Sequence, residues 1–376
     1  MLHSHLLYDN VQLSADSQVL ILNSAADPFV LMAAQRINAG AIILAEDNLA
    51  AQQSALKQLH SETGVHLRHV AFHEYTLHEP PATIDIAVMN MLYQPSKTWM
   101  MYGLEVAVYA LKPGGCLYIL GAKDRGVLSM AKHMQEYFGN VETLAISKGH
   151  RVLCSHKADE GTWHPQGVPL HFLSRVHVVA PLVGTRLADP LSSLIPTVFA
   201  KGNLDEGTRL LLEALEVRVT DEALDIGCGA GFVGLHIARL ANKGSVTMVD
   251  VSLAAVAVAQ RMVEQSGLSN LRVLPSDGAQ AVLSQRFSLV VTNPPFHMGG
   301  IQTTSVAERF IREAAQVLRP RGRFYLVANR FLKYEPTLRA CFNTVEEVAG
   351  NTRYKVLRAS KITRFLPGDA GWITFP

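Results

Sequence analysis

The chain has 376 residues, more than one hydrophobic core usually serves, and with 48% of them hydrophobic it can bury two. Formal net charge is only +2, and the four cysteines, Cys116, Cys154, Cys228 and Cys341, include no CxxC pair. Neither a disulfide framework nor a thiolate zinc site is indicated, and a reducing cytoplasm is expected. The opening MLHSHLLYDN lacks the basic segment and long apolar core of a signal peptide, and no stretch approaches the ~20 apolar residues of a membrane span, so a soluble protein is expected.

In chain order, SQVLILNSAADPF (17–29) reads as an apolar strand running into a turn. AIILAEDNLAAQQSALKQLHSETG (41–64) supplies a second strand, an acid (Glu46), an N-cap candidate (Asn48) and a helix. His60, His66, His69, His73 and His78 crowd the next stretch. Their spacing suits no ligand set, and no metal is expected. IDIAVMNMLYQP (84–95), ALKPGGCLYILGAK (110–123) and GHRVLCSHK (149–157) carry further strands. GTWHPQGVP (161–169) is a Gly/Pro-rich linker, and the alternating stretch after it suggests a hairpin.

From there the chain repeats itself at an offset of 204: DEALDIGCGAGFV (221–233) matches 17–29 in apolar pattern, and SVTMVDVSLAAVAVAQRMVEQSGL matches 41–64, with Asp250 and Ser252 opposite Glu46 and Asn48. FSLVVTNPPFHM, VLRPRGRFYLVANR (317–330) and TRYKVLRASK complete the parallel. A period near 200 is too long for a solenoid and indicates a duplicated domain. Apolar runs alternating with helical patterns call for two α/β domains, each a mostly parallel sheet with helices on both faces, over 1–160 and 161–376.

The second half carries the chemistry. Asp225, Gly227, Gly229 and Gly231 lie at the end of a strand and just before a helix, where glycines admit close approach of a ligand. Nineteen residues after Gly231, Asp250 ends the next strand, where a carboxylate can accept from both hydroxyls of a ribose. A nucleoside cofactor follows, without saying which. Asp277 ends the third strand and can face an adenine amine or cap the helix after it.

The fourth strand delivers TNPPFH (292–297) to the same edge. An exocyclic amine such as guanine N2 is a poor nucleophile until two acceptors hold its hydrogens. The Asn293 side-chain oxygen and the Pro294 carbonyl can do so, Pro294 and Pro295 restrict the backbone, and Phe296 offers a stacking face worth ~1–3 kcal/mol. His297 can contact RNA or orient the loop. The first half lacks these parts: Asn23, Ser24 and Ala26 replace the glycine loop, and Met91, Leu92 and Tyr93 follow Asn90. Its role is read as structural or as substrate recognition.

Charge is uneven. Residues 1–160 hold 11 Lys+Arg against 15 Asp+Glu, the rest 23 against 17, and Arg309 to Arg364 alone hold 13 against 4, a density suited to phosphates. Within it Arg330, Lys333 and Tyr334 follow a strand that should reach the active edge and are RNA-contact candidates.

NPPFH, VFAKGNLDEGTRLLLEAL (198–215), DIGCGAGFVG, VANRFLKYEP (327–336) and YKVL together resemble the bacterial ribosomal RNA guanine-N2 methyltransferases, those of the small subunit most closely, over nearly the whole chain. The resemblance implies two tandem Rossmann-like class I methyltransferase domains, the first degenerate and the second binding S-adenosylmethionine, with ribosomal RNA as partner and a monomer as the acting form. It implies that Gly227, Gly229 and Gly231 line the cofactor loop, Asp250 holds the ribose, Asp277 faces the adenine, and Asn293 to Phe296 hold the guanine. Phe199, Asp205, Gly207 and Thr208 match the family's segment bordering the site, Phe199 and Thr208 on the cofactor side. The chain departs from the family at Ala200, where a Ser is usual, at Arg321, in place of a glycine, and in its tail FLPGDAGWITFP. Alternatives are 23S rather than 16S RNA, adenine N6 or a protein glutamine as acceptor, and a non-catalytic assembly factor. A nicotinamide enzyme would leave TNPPFH without a purpose.

Overall fold

The computed structural model describes residues 3–62, 66–158, 205–295, 297–298, 301–302 and 304–361, with the backbone alone for 60–62, 297–298 and 301–302. The expected linker and hairpin, Phe199, Ala200, Phe296 and the terminal FLPGDAGWITFP lie outside the described residues. The chain divides into two compact units, Met1–Asn203 with Val251–Val258 and Met298–Ile301, and Leu204–Asp250 with Ala259–His297 and Gln302–Pro376.

The first sheet contains β1 (Gln18–Leu22), β2 (Ala41–Glu46), β3 (His66–Ala71), β4 (Ile84–Asn90), β5 (Leu111–Ala122), β6 (Glu142–Ser147) and β7 (His150–His156), in the order β3-β2-β1-β4-β5-β7-β6. The helices with it are α1 (His5–Asn10), α2 (Phe29–Ala34), α3 (Leu49–Glu62), α4 (Tyr75–His78), α5 (Lys97–Ala110) and α6 (Val127–Phe138). Strands β1 to β5 pair in parallel, and β7 runs antiparallel to both β5 and β6. Both faces of the sheet are covered, which is why its central strands read as unbroken apolar runs. Leu20 and Leu22 enter one buried cluster with Trp99 and Tyr102, whereas Val19 and Ile21 enter the other with Phe29 and Val30. Lys148 and Gly149, both at positive φ (44° and 82°), make the two-residue turn from β6 to β7, a shape that matches strand twist.

The second sheet repeats the plan. Its strands are β8 (Glu222–Ile226), β9 (Ser245–Asp250), β10 (Leu271–Pro275), β11 (Phe287–Thr292), β14 (Leu318–Asn329), β15 (Thr344–Gly350) and β16 (Tyr354–Ser360), while the short β12 (His297–Met298) and β13 (Ile301–Gln302) pair with each other. The order β10-β9-β8-β11-β14-β16-β15 is that of the first sheet strand for strand. Its helices are α7 (Glu206–Ala214), α8 (Phe232–Leu240), α9 (Leu253–Ser266), α10 (Ser305–Val317) and α11 (Glu335–Cys341). In α10, Ala307, Phe310, Ile311, Ala314 and Val317 are buried at helical spacing, packing with Leu224, Val290 and Leu326.

The expectation of two α/β domains with mostly parallel sheets is met. In each sheet strand order reverses beside the first strand, and in the second this lies between the carboxyl ends of β8 and β11, where open α/β sheets bind ligands. No helix among the described residues is long and apolar enough to cross a membrane.

Candidate functional site

The turn after β8 holds Gly227, Gly229 and Gly231 at φ 73°, 55° and 89°. Any other residue in that left-handed region costs roughly 1–2 kcal/mol. The Gly227 and Cys228 amides donate to the Val249 carbonyl (2.8 and 3.0 Å), drawing the loop against the end of β9. Gly234 lets α8 lie directly on that strand, since a Cβ there would collide with Met248. At the end of β9, Asp250 Oδ2 accepts from the Gly229 amide at 2.8 Å, so the loop itself orients this carboxylate.

Asp225 sits elsewhere than expected. It is 2% exposed and accepts from the Gly234 amide at 3.0 Å, bracing the start of α8 from beneath the loop instead of facing a ligand. Burial pushes its carboxyl up to about 7 and the Cys228 thiol well above its ordinary value. Asp277 lies at the expected strand end, but Arg309 holds its Oδ1 at 2.5 Å. The capping alternative is not met, since the helical turn Gln280–Val282 has Ala279 at its N-cap and no side-chain cap.

Across the reversal point, Thr292 ends β11 by donating to the Ile226 carbonyl at 2.8 Å, tying the NPPF turn to the foot of the glycine loop. Asn293 follows. Its Nδ2 donates to Thr208 Oγ1 at 2.9 Å and to Asp205 Oδ2 at 3.3 Å. Asp205 is also the N-cap of α7, accepting from the Gly207 and Thr208 amides at 2.9 and 3.1 Å. The orientation of the Asn293 amide follows from proton counting. Thr208 has one hydroxyl proton and gives it to Asp205, which as a carboxylate can only accept. Thr208 can therefore only accept from Asn293, which places the nitrogen toward α7 and turns Oδ1 away from it. Thr208, expected on the cofactor side, is 8% exposed with its hydroxyl spent on this chain, so its geometry is that of a support for Asn293. Pro294 is buried and Pro295 half-buried.

The RNA-contact candidates separate. Lys333 is exposed. Arg330 is exposed but bound to Glu347 at 2.8 Å and to the Asn351 carbonyl at 2.7 Å. Tyr334 is a correction: its ring is 1% exposed within the core cluster of the second unit, so it has no face on which a base can stack. For His297 the backbone alone is described. The basic density between 309 and 361 is largely internal, because Arg312, Arg319, Arg323, Arg353, Lys355 and Arg358 pair with Glu308, Glu222, Asp221, Glu206, Glu335 and both Glu216 and Glu346. Most of that charge is balanced where it stands.

The position of Asp205, directly before a helical pattern, is an N-cap signal in the sequence, but its contact with Asn293 is not legible there. No role for Tyr354 beyond the YKVL resemblance is legible in the sequence. Its ring lies against the first turn of α7, where a Cβ on Gly207 would come within 3.2 Å of it. A cavity of about 510 Å³ lies among Glu222, Thr247, Arg272, Arg286 and Arg319. It opens at the amino ends of the strands, the edge opposite the glycine loop and Asn293, and takes no part in the site.

Comparison with known proteins follows the same division. The methyltransferase small domain family matches residues 193–358. Two proteins named ribosomal RNA small subunit methyltransferase C, from Hahella chejuensis and Pseudoalteromonas atlantica, are each 33% identical to the chain, over 68% and 74% of it and 72% and 78% of their own lengths. A third, from Shewanella pealeana, is 28% identical over 94% of the chain and 97% of its own. Among solved structures, the T. thermophilus 16S rRNA N2 methyltransferase RsmC, in complex with AdoMet and guanosine, superposes with a TM-score of 0.75 at 29% identity, covering 95% of this chain and 91% of that one.

Proposed function

Because the chain belongs to the ribosomal RNA small subunit methyltransferase C family, we propose that its Asn293 and the Pro294 carbonyl carry the reaction of that family, methylation of a guanine N2 in 16S rRNA with S-adenosylmethionine as donor. The residues present fit that cofactor. Three positive-φ glycines leave the backbone bare at the reversal point, and Asp250, oriented by Gly229, offers a carboxylate at the ribose position. Gly227, Gly229, Gly231 and Asp250 would hold the nucleoside, and Asp277 would meet the adenine through the oxygen that Arg309 leaves. When bound, S-adenosylmethionine supplies an electrophilic methyl carbon.

The remaining chemistry belongs to the chain. Asn293 Oδ1 accepts one hydrogen of the guanine amine and the Pro294 carbonyl the other, so that the nitrogen lone pair, otherwise delocalised into the ring, is aimed at the methyl. Pro294 and Pro295 keep that carbonyl in place, and Phe296 stacks on the base. No strong general base is required, because the amine becomes acidic once alkylated. The observation that carries this reading is the Asp205–Thr208–Asn293 chain, which fixes the amide nitrogen away from the substrate side before any ligand arrives.

The first domain, over 1–160, serves structure and RNA recognition, and the second, over 161–376, performs catalysis. His297, Arg330 and Lys333 steady the RNA around the loop. The acting form is a monomer, and the four free cysteines fit a reducing cytoplasm. Incubation with labelled S-adenosylmethionine and, separately, 16S RNA, small subunits and 23S RNA, followed by mapping of the modified base, tests the reading. N2-methylguanine in 16S RNA is expected, and methyl on adenine N6 or no transfer would overturn it.

A further inference from the structure

Scattered in sequence, Cys116 and Cys154 are brought together by strand register. Cys116 of β5 pairs with His156 of β7, and Tyr118 of β5 pairs with Cys154 of β7, so all four side chains stand on one face of the antiparallel edge of the first sheet. One ligand atom from each of Cys116, Cys154 and His156 lies within 4.8 Å of the other two. Cys116 Sγ is 3.2 Å from His156 Nδ1, and Cys154 Sγ is 3.9 Å from His156 Nε2. We propose that these three residues form a binding site for a thiophilic divalent ion of the zinc type, clamping β5 to β7.

Three arguments carry this. First, a tetrahedral ion with bonds of about 2.0–2.3 Å to nitrogen and sulfur spaces its ligand atoms ~3.3–3.9 Å apart, and the three ligand atoms, all within 4.8 Å of one another, need only a small inward shift to reach that spacing. Second, the register opposes the competing reading, a disulfide. Cys116 and Cys154 are diagonal rather than directly opposed, a relation that typically sets Cα atoms about 7–8 Å apart, beyond the ~4.4–6.8 Å that a disulfide spans. An ion bridges sulfurs so placed and a covalent bond does not. Third, the ligands are held and accessible. Asn140 grips the His156 backbone on both sides, donating to its carbonyl at 2.7 Å and accepting from its amide at 2.8 Å. Cys154 is buried, Cys116 half-buried and His156 exposed, leaving the fourth position to solvent.

The test uses the full chain, stripped with chelator and titrated with Co²⁺ and then Zn²⁺. The proposal expects one Co²⁺ per chain, a thiolate-to-cobalt charge-transfer band with the strong visible absorption of a tetrahedral centre, displacement by one equivalent of Zn²⁺, and a higher melting temperature with zinc. Cys116→Ser and His156→Gln, at positions open to solvent, should each weaken binding about 100-fold, and Cys341→Ser should not. Absence of the charge-transfer band would overturn the site, as would a band unchanged in Cys116→Ser. So would a metal-free protein that binds no zinc and closes a Cys116–Cys154 disulfide under mild oxidant.

Discussion

The two halves share a strand order and differ in what occupies the corner where ligands would bind. In the second half three positive-φ glycines leave that corner bare of side chains. In the first, the chain fills it. Gln94 Nε2 donates to the Leu22, Asn23 and Asn90 carbonyls at 3.1, 3.0 and 3.2 Å, and Glu46 accepts from the Ala25 and Asn48 amides at 2.8 and 2.9 Å. Asn90, which ends β4 as Asn293 follows β11, has both ends of its amide engaged, its nitrogen by Asp27 at 2.6 Å and its oxygen by the Leu92 amide at 2.9 Å. The same strand scaffold thus holds one asparagine as an internal fastener and the other with its oxygen turned outward. A duplicated domain loses its ligand site less by collapse than by supplying its own hydrogen-bond partners, which explains how these polar residues come to be buried.

The largest expected contrast is between those two asparagines. Asn293→Ala should lower kcat about 1000-fold while leaving the dissociation constant for S-adenosylmethionine within a few-fold, whereas Asn90→Ala should leave turnover intact and lower stability by about 2–3 kcal/mol, since the buried Asp27 Oδ2 would lose the Asn90 amide. Single-turnover transfer and urea melts separate the two effects.

Thr208→Val probes the support of Asn293. Removing the hydroxyl leaves the amide only its longer bond to Asp205 and loosens its orientation, and kcat should fall about 10- to 100-fold with cofactor affinity unchanged. Thr208→Ser should restore most of it. A loss confined to cofactor binding would return Thr208 to the cofactor side.

A smaller effect concerns Glu46, the first-half counterpart of Asp250, whose carboxyl burial pushes up from 4.5 to about 7. Because the folded value lies above the unfolded one, ionisation opposes folding. Stability is retained below about pH 4.5, falls as pH rises toward 7, and is level beyond. Glu46→Gln should flatten that fall when urea midpoints at pH 5 and pH 8 are compared.

The smallest effect is at Arg321, which takes φ 60° where the first half has Gly114 at 76° in the matching turn. Arg321→Gly should raise stability by about 1 kcal/mol. Thermal melts of the two proteins would show it.

Much of this was legible in advance, for particular reasons. The repeat could be read because buried parallel strands demand apolar runs, and the first strands of the halves, at Gln18 and Glu222, and the second, at Ala41 and Ser245, begin 204 residues apart in both cases. The glycine loop and NPPF turn were legible because few residues tolerate their backbone. What resisted reading depends on tertiary placement. Asp205 and Thr208 meet Asn293 across 88 and 85 residues, and no local pattern records that. The depth of Asp225 and Tyr334 depends on what packs above them. The basic tail reads as an RNA surface because its acidic partners, Glu222, Asp221 and Glu206 among them, lie 97, 102 and 147 residues upstream. Cys116 and Cys154 are neighbours through strand register, which their spacing in sequence does not record.

The central claim is that one half is built to take a nucleoside cofactor and the other is sealed by its own side chains. Calorimetric titration of the whole chain with S-adenosylmethionine tests it most directly. One equivalent should bind, and Asp250→Ala should weaken that binding by more than about tenfold while Glu46→Gln leaves it unchanged. Two equivalents per chain, or binding that survives Asp250→Ala and fails in Glu46→Gln, would contradict the account.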